Sequence, residues 1–251
     1  MTNLFDLSGK IAIVTGGSTG LGAGMSLGLA QAGADVVLVD RVSSRGMVEQ
    51  IKLLGRRSLS VIADLHQKPA PQHIVDRVLS EYGRIDILIN NAGIIRRTPA
   101  AEFTDKDWDD VMMVNSRAVF FLSQAVGREM IKQRKGKIIN VASLLSFQGG
   151  IIVPSYSASK GAVAQITKAL ANEWASLGIN VNAIAPGYMA TNNTKALRED
   201  PVRSKSILDR IPTGRWGTPD DLKGAAIFLA SAASDYVNGH VLLVDGGWMA
   251  R

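Results

Sequence analysis

A serine, a tyrosine and a lysine in segment 143–161 have types and spacing that suit acid–base chemistry. Tyr156 and Lys160 are one helical turn apart, so both side chains can project from one face. Ser143 ends a predicted strand, and the following loop can bring it to the same cleft. A nearby ammonium group would favour the tyrosine phenolate, which could take a proton from a substrate alcohol. Ser143 could hydrogen-bond the same substrate oxygen. A Y-x-x-x-K pair also arises by chance, so this interpretation depends on the rest of the chain.

A glycine-rich turn follows the first predicted strand and opens the first predicted helix. Its glycines, in "TGGSTGLG" (15–22), let the backbone turn tightly and approach a pyrophosphate at the helix N-terminus. Asp40 ends the second predicted strand, where its carboxylate could accept hydrogen bonds from the adenosine ribose of NAD and would repel the 2′-phosphate of NADP. Arg41 gives a mixed signal, because a guanidinium can pair with a phosphate. We therefore predict a dinucleotide site that prefers NAD.

Other polar residues are predicted at the same edge of the sheet. Asp64 follows the third strand, where it could accept from the adenine amino group or simply form a turn. The stretch "NNAG" (90–93) ends the fourth strand, where asparagines can hold turns and Gly93 lets a ribose approach. Asn115 lies inside a long predicted helix, where asparagine is mildly unfavourable. It could kink that helix and hold a water that connects Lys160 to solvent, or it could be merely structural.

Composition excludes several classes of protein. The chain has 251 residues, of which 46% are hydrophobic and 20% charged, as expected for one large α/β domain rather than a disordered chain. It has no cysteine, which excludes disulfides, thiolate metal sites and cysteine nucleophiles, and no metal site is predicted. The net charge of +6 comes from scattered basic pairs without interleaved aromatic residues, so we expect attraction for a small anion and no nucleic-acid partner. No secretory signal or membrane span is evident, and a cytoplasmic enzyme is predicted.

Near-continuous runs of Val, Ile and Leu alternate with amphipathic segments along the chain. Such runs are typical of strands buried on both faces of a parallel sheet. The predicted strands are 10–15, 35–40, 58–63, 85–90, 136–143, 179–186 and 240–245. The predicted helices are 20–32, 43–54, 70–82, 105–133, 155–177, 194–210 and 219–232. This alternation predicts βαβ units in a single doubly wound α/β domain spanning 1–251.

Local signals refine two helix starts and one connecting segment. Thr104 and Thr218 are placed to cap helices, and Pro219 occupies the first helical position after the second of them. The polar segment 188–215 leaves the sheet after "APG". We predict that it forms a mobile substrate lid.

Together, these motifs closely resemble the short-chain dehydrogenase/reductase family, in its NAD-dependent branch. The resemblance covers essentially the whole chain, and the motifs occur in the family's order. They are T-G-x-x-x-G-x-G at Thr15, Gly16, Gly20 and Gly22; N-N-A-G at 90–93; the catalytic set Asn115, Ser143, Tyr156 and Lys160; P-G-x-x-x-T at Pro186, Gly187 and Thr191; and V-D-G-G at 244–247.

The resemblance implies a seven-stranded Rossmann sheet in the order 3-2-1-4-5-6-7 and a homotetramer. It also implies that Thr191 bonds the nicotinamide carboxamide, and that Ile184, Pro186 and Gly187 border the nicotinamide ring. The predicted cofactor contacts are Gly16, Ser18, Gly20, Leu21, Gly22, Asp40, Asp64, Leu65, Asn91, Ala92, Gly93, Tyr156, Lys160, Pro186, Gly187, Met189 and Thr191.

Several stretches, including "NNAGIIRR" and "LLSFQGGIIVPSYSASK", are similar to family members that oxidise a secondary alcohol on a sugar acid in pectin or uronate breakdown. A substrate carboxylate would favour a guanidinium partner, because bidentate pairing orients as well as binds. The candidates for that partner are Arg96, Arg97 and Arg215. The candidates for contacts to sugar hydroxyls are Gln148, Tyr188, Asn192 and Asn193.

Two rival functions stay open at this point. A 3-oxoacyl carrier-protein reductase of the same family could use the basic surface to meet an acidic carrier protein. Against it stand Asp40 and also Asn172, which lies where those reductases typically carry arginine. A dinucleotide-binding regulatory protein without turnover is the second rival. Such proteins commonly lose a catalytic residue, whereas all four are present in this chain.

Overall fold

Seven parallel strands form the centre of the computed structural model, which describes residues 3–251. Their order across the sheet is β3-β2-β1-β4-β5-β6-β7, which confirms the predicted order. The chain reverses its direction of winding between β1 and β4, and open α/β sheets bind their ligands at such a point. The strands are β1 (Ile11–Thr15), β2 (Asp35–Asp40), β3 (Ser58–Ile62), β4 (Ile87–Asn90), β5 (Gly136–Val141), β6 (Ile179–Pro186) and β7 (Val241–Val244).

Each face of the sheet packs into its own apolar layer. In β1, Ile13 belongs to one layer, whereas Ala12 and Val14 belong to the other. The neighbouring strand β2 alternates in the same way, with Val37 on the first face and Leu38 on the second. Because both faces are covered, the strands carry continuous apolar sequence, which explains why they could be recognised without an alternating pattern.

The helices flank the sheet close to their predicted positions. The helix predicted at 70–82 has those bounds, and the other predictions differ at one or both ends or are interrupted. The helices are α1 (Gly20–Gln31), α2 (Arg45–Leu53), α3 (Ala70–Tyr82), α4 (Asp105–Met112), α5 (Ala118–Gln133), α6 (Pro154–Trp174), α7 (Lys195–Glu199), α8 (Pro201–Arg210) and α9 (Lys223–Ala230). Within residues 3–251, no helix combines the length and apolar character needed to cross a membrane.

Two helices predicted as single elements are interrupted. The segment 105–133 widens into a π-helical turn at Met113–Arg117, which joins α4 to α5 and contains Asn115. The segment 194–210 breaks at Asp200, because Pro201 lacks an N–H and disfavours helical geometry in the residue before it. The Asp200 carboxylate then accepts from the N–H groups of Val202 and Arg203, both at 3.0 Å, and so caps α8.

The predicted caps lie at helix starts. The Thr104 hydroxyl accepts from Asp107 N at 3.1 Å, as expected for an N-cap. Thr218 and Pro219 open a 3₁₀ turn that leads into α9, and Thr218 N donates to the Asp221 carboxylate at 2.7 Å. Both predicted starts therefore coincide with observed helical turns.

Candidate active site

The turn after β1 is held by the end of β4. The Thr15 hydroxyl accepts from the backbone N–H groups of Asn91 and Ala92, both at 3.0 Å. The Asn91 amide in turn donates to the carbonyls of Thr15 at 2.9 Å and Gly16 at 3.1 Å. Asn91 therefore holds the turn, as the sequence suggested for this motif, whereas the part played by the Thr15 side chain was not anticipated.

The adjoining residue Asn90 has a different environment. It is buried, and its amide donates to Ser123 Oγ and to Asn140 Oδ1, both at 2.9 Å. The Asn140 amide continues the chain to Thr167 Oγ1 at 2.9 Å. Of the two asparagines in "NNAG", one therefore fixes the ligand-binding edge and the other ties β4 to β5 and the helices beneath.

The glycine turn forms a cradle that larger residues would fill. Gly16 has φ +62°, and a Cβ atom there would lie 3.0 Å from the Asn91 amide nitrogen. A Cβ atom at Gly22 would collide with the carbonyl oxygen of Gly16. At Gly20, by contrast, a Cβ atom would find Thr191 Cγ2 as its nearest neighbour at 3.9 Å, so the cradle opens toward that residue. This arrangement suits close approach of a phosphate-bearing ligand to backbone amides.

Two adjoining clefts lie along this edge of the sheet, with volumes of about 420 Å³ and 230 Å³. They share Gly16, Thr19, Ala92 and Gly93, so together they form one elongated groove. The larger cleft is also lined by Gly20, Leu21, Asn91, Val141, Tyr156, Lys160, Ala190, Thr191, Asn192 and Asn193. The smaller cleft is also lined by Val39, Asp40, Arg41, Ala63, Asp64, Leu65, His66, Ile94 and Val114.

Most of the predicted cofactor contacts line this groove, and five do not. Gly187 and Met189 line a neighbouring cavity of about 210 Å³, together with Tyr188 and Arg215. None of these three cavities is lined by Ser18, Gly22 or Pro186. The groove fits a molecule with two linked nucleotide halves, because a glycine cradle lies where its two parts meet.

The smaller cleft carries two acidic side chains in defined positions. Asp40 is half-buried, and its carboxylate accepts from the Ser44 hydroxyl at 2.6 Å. Asp64 accepts from His66 N at 3.1 Å, and this hydrogen bond holds the pKa of Asp64 below its usual value. His66 also places its imidazole Nδ1 3.4 Å from Asp64 and its Nε2 3.6 Å from Asp110. His66 was not among the predicted site residues, although its position two residues after Asp64 was an available signal.

Tyr156 and Lys160 project from α6 into the larger cleft. Lys160 is buried, its Nζ donates to Val141 O at 2.6 Å, and it lies 5.6 Å from the centre of the Tyr156 ring. Burial lowers the pKa of Lys160 to about 8. Burial also raises the pKa of Tyr156, while the Ser143 side chain and the positive charge of Arg97 act in the opposite direction. The tyrosine and lysine are therefore brought together beside the glycine turn.

Ser143 follows β5 and faces the same helix. Its hydroxyl accepts from Leu145 N at 3.2 Å and caps the short 3₁₀ turn Leu144–Ser146. Ser146, which the sequence analysis did not single out, accepts from Ser143 N at 3.3 Å and donates to Lys160 O at 2.7 Å. One hydroxyl thus links the backbones of the serine and the lysine.

Asn115 is fully buried in the π-helical turn. Its Oδ1 accepts from Ile94 N at 2.8 Å, and its amide donates to Ile94 O at 2.9 Å and to Ser159 Oγ at 3.1 Å. The Ser159 hydroxyl donates onward to Tyr156 O at 2.8 Å. Asn115 therefore connects the strand end after "NNAG" to the helical turn that carries Tyr156.

The three candidate arginines have different partners. Arg96 is committed to acids of α4, with Asp107 at 3.1 Å and Asp110 at 3.7 Å. The guanidinium of Arg215 forms a two-point pair with Asp221 at 2.8 and 2.7 Å. Arg97 instead donates to the carbonyl of Asn193 at 2.9 Å, and its charge partly offsets the rise in the pKa of Tyr156 that burial causes. Of the three, Arg97 is the one whose charge acts on the tyrosine.

The remaining candidate substrate residues lie around the same opening. Asn192 and Asn193 line the larger cleft, and Tyr188 lines the neighbouring cavity. Gln148 lies in the loop between Ser143 and α6, where its Oε1 accepts from the Trp248 indole N–H at 3.3 Å. The structure therefore places Gln148 against the C-terminal part of the chain, a contact that no pattern in the sequence predicts.

Several known proteins are similar to this chain in sequence and structure over nearly its whole length. The 2-dehydro-3-deoxy-D-gluconate 5-dehydrogenase of Dickeya dadantii is 60% identical over 250 residues, which cover 99% of each chain. A crystal structure of an Agrobacterium tumefaciens protein with bound NADP matches all of both chains, at 52% identity and a TM-score of 0.94. The gluconate 5-dehydrogenase of Burkholderia cenocepacia, solved with NADP and tartrate, is 41% identical with a TM-score of 0.94, covering 99% of this chain and 98% of that one.

The family assignment follows from these matches and from the site. The sequence model of short chain dehydrogenases matches residues 10–202, which contain the glycine turn, the tyrosine and the lysine. The full-length relatives extend the similarity to the whole chain. The protein belongs to the short-chain dehydrogenase/reductase family of oxidoreductases.

Proposed function

We propose that the protein is an NAD-dependent dehydrogenase that oxidises a secondary alcohol of a sugar acid. The proposed substrates are 2-dehydro-3-deoxy-D-gluconate, oxidised at its 5-position, and 2-deoxy-D-gluconate, oxidised at its 3-position. The observation that carries the proposal is that Tyr156 and Lys160 line the same cleft as the glycine turn. A proton-transferring group and a dinucleotide cradle therefore share one groove. The Dickeya relative, 60% identical over nearly the whole chain, supports the substrate class.

Tyr156 is proposed as the group that moves the substrate proton. When bound in the groove, NAD would supply the hydride acceptor for the alcohol carbon and a positive charge near Tyr156. Tyr156 Oη would take the hydroxyl proton as the alcohol becomes a ketone, and would return it in the reverse direction. Burial alone raises the pKa of Tyr156, so its function as a base requires positive charge nearby.

Three further side chains support that proton transfer. Lys160 supplies positive charge close to the Tyr156 ring and would also reach the ribose of the bound cofactor. Ser143 would donate to the same substrate oxygen and stabilise the charge that develops there. Asn115 would hold the Tyr156 turn through Ser159. These roles are consistent with the contacts of the chain.

The preference for NAD is proposed from Asp40. Its carboxylate lines the smaller cleft and is held by Ser44, so it is positioned to accept from ribose hydroxyls. A 2′-phosphate in the same place would meet that negative charge. Arg41 lines the same cleft and could offset the repulsion, and three related structures hold NADP. The ratio of kcat/KM values for NAD and NADP decides between the two cofactors, and we expect NAD to have the higher value.

Arg97 is proposed as the partner of the substrate carboxylate. Its charge acts on Tyr156, and its hydrogen bond to Asn193 places it beside the segment predicted to be the lid. Arg96 and Arg215 are less suitable because each is already paired with carboxylates. A guanidinium that holds the acid group would orient the sugar so that one hydroxyl reaches Tyr156.

Turnover with purified protein tests the proposal directly. A panel of sugar acids, including both proposed substrates, is mixed with NAD or NADP, and the absorbance of the reduced cofactor is followed. We expect reduction of NAD with at least one of the two substrates. Tyr156→Phe should remove activity while leaving the dissociation constant of NADH within about threefold, because the lost contact belongs to the transition state. Tight NADH binding without turnover of any sugar acid would instead favour a regulatory protein.

The arginine assignment has its own test. Arg97→Gln should raise KM for the sugar acid by about 10- to 100-fold, the range for a lost charge-assisted hydrogen bond. Arg215→Gln is the matched control, since its guanidinium is paired with Asp221, and it should change KM much less. An equal effect of both substitutions would show that Arg97 does not hold the carboxylate.

Four other statements made from the sequence remain predictions. They are the mobility of segment 188–215, a homotetramer, a cytoplasmic location and a part in pectin or uronate breakdown. The contacts of segment 188–215 bear on its mobility, because Ile207 and Ile211 are buried against Leu144 and Trp248. Any opening of the lid must therefore separate these apolar side chains.

A further inference from the structure

The last seven residues, 245–251, pack against the substrate side of the molecule. After β7, the Asp245 carboxylate accepts from the N–H groups of Gly247 and Met249, both at 2.9 Å, and turns the chain back. This turn places Trp248, which is 5% exposed, in an apolar cluster with Ile207 and Ile211. We call residues 245–251 the C-terminal segment.

Trp248 contacts three other parts of the chain, two of which carry the candidate substrate residues Tyr188 and Gln148. Its ring centre lies 4.6 Å from that of Tyr188, and the Arg210 guanidinium lies over it at 4.1 Å. Its indole N–H donates to Gln148 Oε1 at 3.3 Å. One side chain therefore joins the strand end after β6, helix α8 and the loop between Ser143 and α6.

A second set of contacts ties the C-terminal segment to the end of α8. Arg251 donates to the carbonyls of Arg210 at 3.1 Å and Asp209 at 2.6 Å. A guanidinium at the C-terminus of a helix satisfies carbonyls that lack a helical partner and interacts favourably with the helix dipole. Thr213 N also donates to Gly246 O at 3.1 Å, just beyond the same helix. Helix α8 is therefore fixed to the C-terminal segment at its C-terminal end.

These contacts are separate from the dinucleotide groove. No residue of 245–251 is among the side chains or backbone groups that line either of its two clefts. The C-terminal segment does line the neighbouring 210 Å³ cavity, through Asp245 and Gly246, beside Tyr188. Trp248 itself lines neither cleft, so a change in Trp248 should affect the substrate more than the cofactor.

We propose that Trp248 is a positioning residue for the substrate, acting through Gln148 and α8. The inference rests on the proposed function, since it assigns Gln148 to the sugar-acid site. The indole N–H fixes the direction of the Gln148 carbonyl, so that the glutamine N–H₂ group is presented to a substrate hydroxyl. Because a glutamine amide has several accessible rotamers, loss of this restraint would weaken substrate binding without removing any group that touches the substrate.

Steady-state kinetics of single and double variants test this role. Trp248→Phe keeps an aromatic ring in the cluster and removes the N–H donor. It should raise KM for the sugar acid about fivefold, as for one lost neutral hydrogen bond, with kcat changed less than twofold. The dissociation constant of NADH, measured by fluorescence, should stay within twofold. Tyr236→Phe, at a fully exposed aromatic residue, should leave all of these quantities unchanged.

A double variant shows whether Trp248 acts by positioning Gln148 or only by stabilising the apolar cluster around it. In a Gln148→Ala background, Trp248→Phe should produce no further rise in KM, because the group it orients is gone. Additive effects would overturn the proposal, as would an unchanged KM in Trp248→Phe or a parallel loss of NADH affinity. If the wild-type protein oxidises no sugar acid at all, the proposed function itself fails and the inference fails with it.

Discussion

Lys160 carries a cost of burial that can be measured through the pH dependence of stability. The side chain is 5% exposed, its Nζ donates to the carbonyl of Val141, and burial lowers its pKa to about 8 from the ordinary value of 10.5. The unfolded chain, in which the lysine is solvated, holds the proton more tightly than the folded chain. Protonated Lys160 therefore opposes folding.

The sign and size of the effect follow from linkage. Below pH 8, Lys160 is charged in both states and the cost is fully present. As the pH rises from 8 to 10.5, the folded protein releases this proton first, so the cost disappears. Each unit of pKa difference corresponds to about 1.4 kcal/mol. We expect the free energy of unfolding of the wild type to rise relative to Lys160→Met by about 2 to 3 kcal/mol between pH 7 and pH 10.

Urea denaturation at several pH values measures this difference. The comparison with Lys160→Met cancels the titration of groups far from Lys160, and making it in a Tyr156→Phe background removes the titration of the neighbouring tyrosine from both proteins. Lys68→Met is the matched control, because Lys68 is exposed, and its stability should run parallel to that of the wild type. The difference in the free energy of unfolding between wild type and Lys160→Met could instead stay constant from pH 7 to pH 10. In that case the pKa of Lys160 is not lowered in the folded protein, and the reasoning from burial is refuted.

Three further substitutions test the groove and the core beneath it. Asp40→Ser should lower kcat/KM for NAD and raise it for NADP by about tenfold or more, since it removes the charge that faces the 2′-position; an unchanged ratio of the two values would refute this. Gly22→Ala should lower the free energy of unfolding in urea by about 2 kcal/mol or more, because its Cβ would collide with Gly16 O. Gly149→Ala, whose Cβ would meet nothing within 4 Å, is its control, and equal losses would contradict the steric argument. Asn140→Leu should cost about 2 to 4 kcal/mol in the same assay by leaving buried partners unsatisfied, and a smaller loss would mean that the network relaxes.

The strands could be predicted because the residues of each strand, taken alone, show that it is buried on both faces. Burial on both faces requires apolar side chains at successive positions, and this signal is contained within five or six residues. The strands at 35–40 and 179–186 have their predicted bounds for that reason. The order of the strands followed from the family resemblance, and the glycine turn supplied the position of β1 relative to the groove.

Interruptions of helices were harder to predict, because the amphipathic pattern continues through them. Val111 before the π-helical turn at Met113–Arg117 and Val119 after it are both buried, so the apolar pattern of 105–133 gave no sign of the turn. The break at Asp200 did carry a local signal, since Pro201 follows it. The contacts of Trp248 with Gln148 and α8 carry no such signal, because they join residues that are far apart in the chain.

The arginines show why neighbouring residues of the same type cannot be told apart by sequence. Arg96 and Arg97 are adjacent, yet the first is paired with acids of α4 and the second acts on Tyr156. The difference depends on Asp107, which lies on a separate helix.

An ion pair between exposed groups adds little stability, about 0 to 1 kcal/mol. Its larger effect here is to occupy Arg96, which is why Arg97 is the proposed partner of a substrate carboxylate. A charge-pair variant therefore probes this division of roles: Asp107→Asn should leave KM for the sugar acid nearly unchanged in the wild-type background. In Arg97→Gln it should partly restore binding, because Arg96 is then less firmly held, and no restoration would indicate that Arg96 cannot reach the substrate.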